Sequence, residues 1–87
     1  MANKKSAEKR NRQNEKRRAL NRSHRSRMRT AIKHLRAAVT QGDAELAQKL
    51  LSETVSLVDA TAQKGVIHHN TASRTVSRLT RAVRALG

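Results

Sequence analysis

The chain has 87 residues, no cysteine and no aromatic residue, and carries a formal net charge of +14 from 20 Lys+Arg against 6 Asp+Glu. That length holds one small domain, the lack of cysteine excludes disulfide and thiolate chemistry, and the charge predicts attraction to nucleic acid or an anionic membrane. Leu, Ile, Val and Phe number 16, but 15 of them follow Met28, so a core is expected despite a content below the roughly 20% that points to disorder in a highly charged chain.

Charge divides the sequence in three. Residues 1–29 carry twelve basic residues against Glu8 and Glu15, residues 30–63 carry three against four, and residues 64–87 carry five against none, giving +10, −1 and +5. A single domain is expected, with 1–27 a basic arm and 28–87 a three-helix core. The first helix is predicted from about Ser6, a capping residue with Glu8 in the favourable first turn, to about Gln41, where Gly42 supplies a left-handed stop. Met28, Ile32, Leu35 and Val39 recur at helical spacing, and N-terminal to them charge occupies every side. Some 35 residues at 1.5 Å each make a rod of roughly 50 Å, longer than the core requires.

Asp43 caps a second helix with Glu45 in its first turn. Its apolar positions, Leu46, Ala47, Leu50, Leu51, Thr54, Val55, Leu57, Val58 and Ala62, form a stripe wide enough to touch two neighbours. Lys64-Gly65 ends it, and Val66-Ile67 is expected to plug the end of the bundle. A third helix begins between His68 and Asn70, with Ala72, Val76, Leu79, Val83 and Leu86 on one face and Arg74, Arg78, Arg81 and Arg84 on the other. No alternating β-branched run exists. The fold class is all-α: an antiparallel three-helix bundle with a long basic N-terminal helix extending beyond it.

Catalytic and metal chemistry find no foothold. His24, His34, His68 and His69 lack the spacing and the Cys or carboxylate partners of a metal site. Asp43 and Glu45 serve as caps, Glu53 and Asp59 as solvated surface charge, and no serine has a local base and acid. No cofactor, metal, small-molecule substrate or enzymatic role is expected. No apolar run approaches the roughly 18 residues of a membrane span, and the opening lacks the apolar middle of a secretory signal, which points to the cytoplasm.

The arm cannot bury itself, so its free energy must come from a polyanion, through counterion release at phosphates. A membrane-surface helix needs an apolar face that the arm lacks. Its freedom from Gly and Pro argues against a disordered tail. Arginine, dominant over lysine here, suits bidentate phosphate contacts. Without aromatics there is no stacking platform for single strands, so backbone shape and folded RNA are the expected target. The arm cations Lys9, Arg10, Arg12, Lys16, Arg17, Arg18 and Arg22 are assigned to it, and Arg74, Arg78 and Arg81 of the third helix to a second RNA element. Two rivals remain: a non-specific DNA-compacting basic protein, and a basic inhibitor of an acidic enzyme, which would need an exposed apolar patch.

The opening MANKKSAEKR, the run NRSHRSRMRT at residues 21–30 and above all KGVIHHNTASR at residues 64–74 resemble the bacterial small-subunit ribosomal protein S-twenty family over essentially the whole chain. The resemblance implies a three-helix bundle that binds small-subunit ribosomal RNA directly and early in assembly. It also implies bridging of the 5′ domain to the long penultimate helix, as a monomer among other small-subunit components. By position it implies RNA contacts at Lys4, Lys5 and Ser6; at Asn21, Arg25, Ser26, Arg29 and Thr30; and at Lys64, His68, Asn70 and Arg74. Glu8 and Thr71 depart from the family's basic pattern and are not counted as contacts.

Overall fold

The computed structural model describes residues 2–86, with side chains from Ala7 onward. Three helices follow one another: α1, Ala2–Gln41; α2, Ala44–Gln63; α3, His69–Arg84. There is no strand among the described residues. The first helix starts four residues before the predicted Ser6, because no Gly or Pro between Ala2 and Ser6 interrupts it. Ser6 is therefore inside the helix and not its cap, while the side chains of Lys4, Lys5 and Ser6 lie outside the described residues.

Both helix stops follow from glycine. Gly42 and Gly65 take φ of +75° and +76°, the left-handed region that costs other L-residues roughly 1–2 kcal/mol. At the end of α1, Gly42 N–H donates to the Val39 carbonyl (3.0 Å) and Asp43 N–H to that of Ala38 (3.1 Å). At the end of α2, Gly65 N–H donates to Ala62 (2.9 Å) and Val66 N–H to Thr61 (3.2 Å). Each is a Schellman closure that satisfies the last carbonyls. Asp43 then caps α2 by accepting from Leu46 N–H at 3.2 Å, so two residues turn the chain. A Cβ at either glycine meets nothing within 4 Å, leaving backbone strain as the only penalty. Gly42→Ala or Gly65→Ala should therefore each cost about 1 kcal/mol and lower Tm by roughly 4–8 °C; unchanged melting would contradict the assignment.

Helix α2 packs against both neighbours, whereas α1 and α3 barely meet. Leu35, Ala38, Ala47, Leu79 and Val83 form one buried cluster, and Met28, Val58 and Ala72 another, with Ile32 packed against both. Ile67 packs on the second cluster and Val66 is buried, so the turn plugs that end of the bundle. Two expectations fail. Leu46 is 40% exposed, since it sits about 100° round the helix from the buried stripe Ala47, Thr54, Val58 and Thr61. Thr61, not predicted inside, is buried because it falls on that same stripe, its hydroxyl satisfied by donating to the Leu57 carbonyl at 2.7 Å.

Of the described side chains before Met28 none is buried, and Leu20 is 59% exposed. The 40 residues of α1 make a rod of about 60 Å, which accounts for molecular extents of 65 × 21 × 14 Å. The radius of gyration, 17.6 Å, exceeds the roughly 12 Å of a compact chain this long.

Candidate nucleic-acid interface

On a helix, residues three and four apart share a face. Arg18, Arg22, Arg25 and Arg29 repeat at that spacing and fall within about 60° of arc at 100° per residue. They line one concavity of about 470 Å³ with Asn21, Ser26 and Thr30. Every residue that the NRSHRSRMRT run singles out lines this concavity, with the four arginines along its middle. All are exposed apart from half-buried Asn21. Lys9 and Lys16 lie about 160° away round the same helix, with Arg10, Arg12 and Arg17 between. All five are exposed, so the arm offers cations in every direction and can sit between two polyanionic surfaces at once.

Arg25 has a second task. Its Nη2 donates to the Val66 carbonyl at 3.4 Å, across 41 residues of sequence. This ties the base of the arm to the α2–α3 turn, which carries Lys64 and His68. Both of those side chains are exposed. His68 is the N-cap of α3, its Nδ1 accepting from Asn70 N–H at 3.1 Å, and its ring stacks on His69 with centroids 4.4 Å apart. The cap engages Nδ1 and leaves Nε2 as the ring nitrogen open to a phosphate. Replacing a capping side chain by alanine costs about 1 kcal/mol. His68→Ala should therefore lower Tm and His68→Ser should largely restore it; equal melting of the two variants would show that the cap contributes nothing.

On α3, Arg74, Arg78 and Arg81 are exposed and fall within about 60° of arc, with exposed Asn70 near the same line. Helix α2 supplies the contrast: its exposed charges are Glu45, Lys49, Glu53 and Asp59. Positive charge is therefore confined largely to the two outer helices. Reading the sequence by segment missed Lys33 and Arg36, which continue the 18-22-25-29 series at the same three-and-four spacing into the core part of α1. Both are exposed, and Arg36 lines a groove with Arg78 of α3. The series itself was the available signal.

Among the described residues no three His, Asp or Glu side chains are grouped as metal ligands, and no helix is long and apolar enough to cross a membrane.

Fold and surface together define a class: a small, strongly basic, all-α protein with its positive charge displayed along two helices and a projecting arm. The family model described as Ribosomal protein S20 matches residues 2–84. The chain is 52% identical to the small ribosomal subunit protein bS20 of Nitrosomonas eutropha over 87 residues, covering 100% of both chains. It is 52% identical to that of Geotalea daltonii over 86 residues, 99% of both, and 51% identical to that of Syntrophobacter fumaroxidans, over 99% of this chain and 100% of the relative. The chain belongs to the ribosomal protein S20 family. Its family is one of structural ribosomal components, not of enzymes.

Proposed function

We propose that the chain is a cytoplasmic structural constituent of the small ribosomal subunit that binds small-subunit ribosomal RNA directly and clamps separate RNA helices during assembly. The names of its relatives support the subunit. The observation that carries direct binding is the Arg18-Arg22-Arg25-Arg29 concavity, four guanidinium groups on one exposed helix face, a geometry suited to bidentate phosphate contacts. The arm lies along one RNA element, and Arg74, Arg78 and Arg81 reach another. By family resemblance these elements are the 5′ domain and the long penultimate helix. Folding of α2 between the two basic helices keeps its acidic residues off the phosphates.

Co-sedimentation tests this reading. The full chain should stay with small subunits through a moderate-salt wash, and an Arg18→Gln, Arg22→Gln, Arg29→Gln variant should be washed off while keeping its helix content. Retention of the triple variant would remove the concavity from the interface. Tight binding to random duplex DNA, equal to that for folded ribosomal RNA, would favour a DNA-compacting role instead.

A further inference from the structure

Because α1 and α3 both pack on α2 yet barely meet each other, the bundle has an open side. A concavity of about 340 Å³ lies there between α1 and α3, and it shares Arg36 with one of about 410 Å³ lined by α1 alone. Leu35, Val39, Leu79 and Ala82 line the first, between Arg36 on α1 and Arg78 on α3. In the second, Ile32 lies among Arg29, Lys33 and Arg36. The first is therefore an aliphatic groove between one cation of each helix, and the second extends its α1 edge past Lys33 to Arg29.

We propose that this α1–α3 groove seats one backbone strand of an A-form RNA helix, ribose carbon faces on the aliphatic floor and phosphates against the two cationic rims. The inference rests on the RNA-binding reading and deepens it, because it adds Lys33, Arg36 and the floor to the interface and seats in the groove the RNA element that Arg74, Arg78 and Arg81 reach, leaving residues 1–27 for the other. Three observations carry it. Arg36 on α1 and Arg78 on α3 flank the groove, and Arg29 and Lys33 continue the α1 edge, a charge pattern complementary to a polyanion. Arg29, Lys33 and Arg36 stand at i, i+4 and i+7, neighbours about 5–6 Å apart at Cβ, so they can follow successive backbone charges. The floor is shallow: Leu35 and Leu79 are 0% and 3% exposed, already covered by the bundle, and Ile32, Val39 and Ala82 are only half-buried. A docking protein helix anchors through side chains sunk in pockets, and this floor offers none of that depth. Double-stranded RNA is held through its shape, sugars and phosphates, for which a shallow apolar strip between cations is sufficient.

The test uses the full chain, folded small-subunit RNA and filter binding. Ala82→Glu places a carboxylate between the rims in a residue of high helix propensity, and the Lys33→Gln, Arg36→Gln pair removes the two exposed cations that the groove alone assigns to the interface. The pair should weaken binding at least about tenfold and flatten the log–log salt slope by about 1.8, at about 0.9 per phosphate contact; Ala82→Glu should weaken it similarly. Circular dichroism checks that helix content is retained, and if Ala82→Glu fails to fold the exposed Lys33/Arg36 pair still decides. If the Lys33/Arg36 pair binds within twofold of the parent while Arg18→Gln, Arg22→Gln binds weakly, the groove proposal is overturned and the RNA reading stands. If neither pair weakens binding, both fall. Loss of poly-glutamate binding with RNA binding intact would assign the groove to an acidic protein and overturn the proposal.

Discussion

Deletion of residues 1–20 should lower affinity for folded small-subunit RNA by several orders of magnitude while barely changing the melting of the bundle. The segment carries Lys4, Lys5, Lys9, Arg10, Arg12, Lys16, Arg17 and Arg18. If half of these neutralise phosphates, each removes about 0.9 from the log–log salt slope, so the truncated chain should show a visibly flatter salt dependence. The stability side follows from burial: the core begins at Met28, and no described side chain before it is buried. Surface substitutions usually change stability by no more than about 0.5 kcal/mol, and a deletion that takes away no buried described side chain should likewise leave the melting nearly unchanged. Melting and filter binding of the same sample separate the two effects. A truncated chain that binds as tightly as the parent would remove the arm from the interface.

The second large effect lies in the core. Leu35 is 0% exposed and sits in the cluster with Ala38, Ala47, Leu79 and Val83. Leu→Ala at such a site costs about 2.7–5 kcal/mol, part of it for the cavity left behind. Only the 59 residues from Met28 to Leu86 contribute to that core, and small cores rarely supply more than about 3–5 kcal/mol. Leu35→Ala should therefore be largely unfolded alone. Binding that selects the folded chain restores stability by mass action, about 4.1 kcal/mol at a ligand concentration a thousandfold above Kd. Saturating RNA should bring the helix signal of Leu35→Ala back towards that of the parent. A variant that stays folded without RNA would show that the aliphatic cluster is not what holds the bundle together.

What could be read from the residues was what local chemistry decides. Gly42 and Gly65 end their helices because the left-handed backbone is open to them, and Asp43 caps α2 through its own carboxylate. The Met28-Ile32-Leu35-Val39 stripe faces inward because its spacing leaves it no other face to occupy. What depends on packing was not legible. Leu46 reads as core from its hydrophobicity, but its angle from Ala47 sends it outward, and Thr61 reads as surface from its polarity although it shares the buried stripe and its hydroxyl bonds the Leu57 carbonyl. The Arg25–Val66 bond joins residues 41 apart, and no pattern within either segment announces it. The same holds for the open side of the bundle. Charge counted by segment separates α1 from α3, yet their shared contact with α2 brings Arg36 and Arg78 to the two edges of one groove.

Equilibrium binding of the intact protein to folded small-subunit RNA, titrated from 50 to 200 mM salt with random duplex DNA as competitor, reaches the centre of the matter. Neutralisation of about six to ten phosphates predicts a fall in affinity of roughly 10³–10⁵ across that range, with the RNA preferred over the competitor at every point. An affinity that hardly moves with salt, or a duplex that competes on equal terms, would contradict the reading of this chain as a backbone clamp for structured RNA.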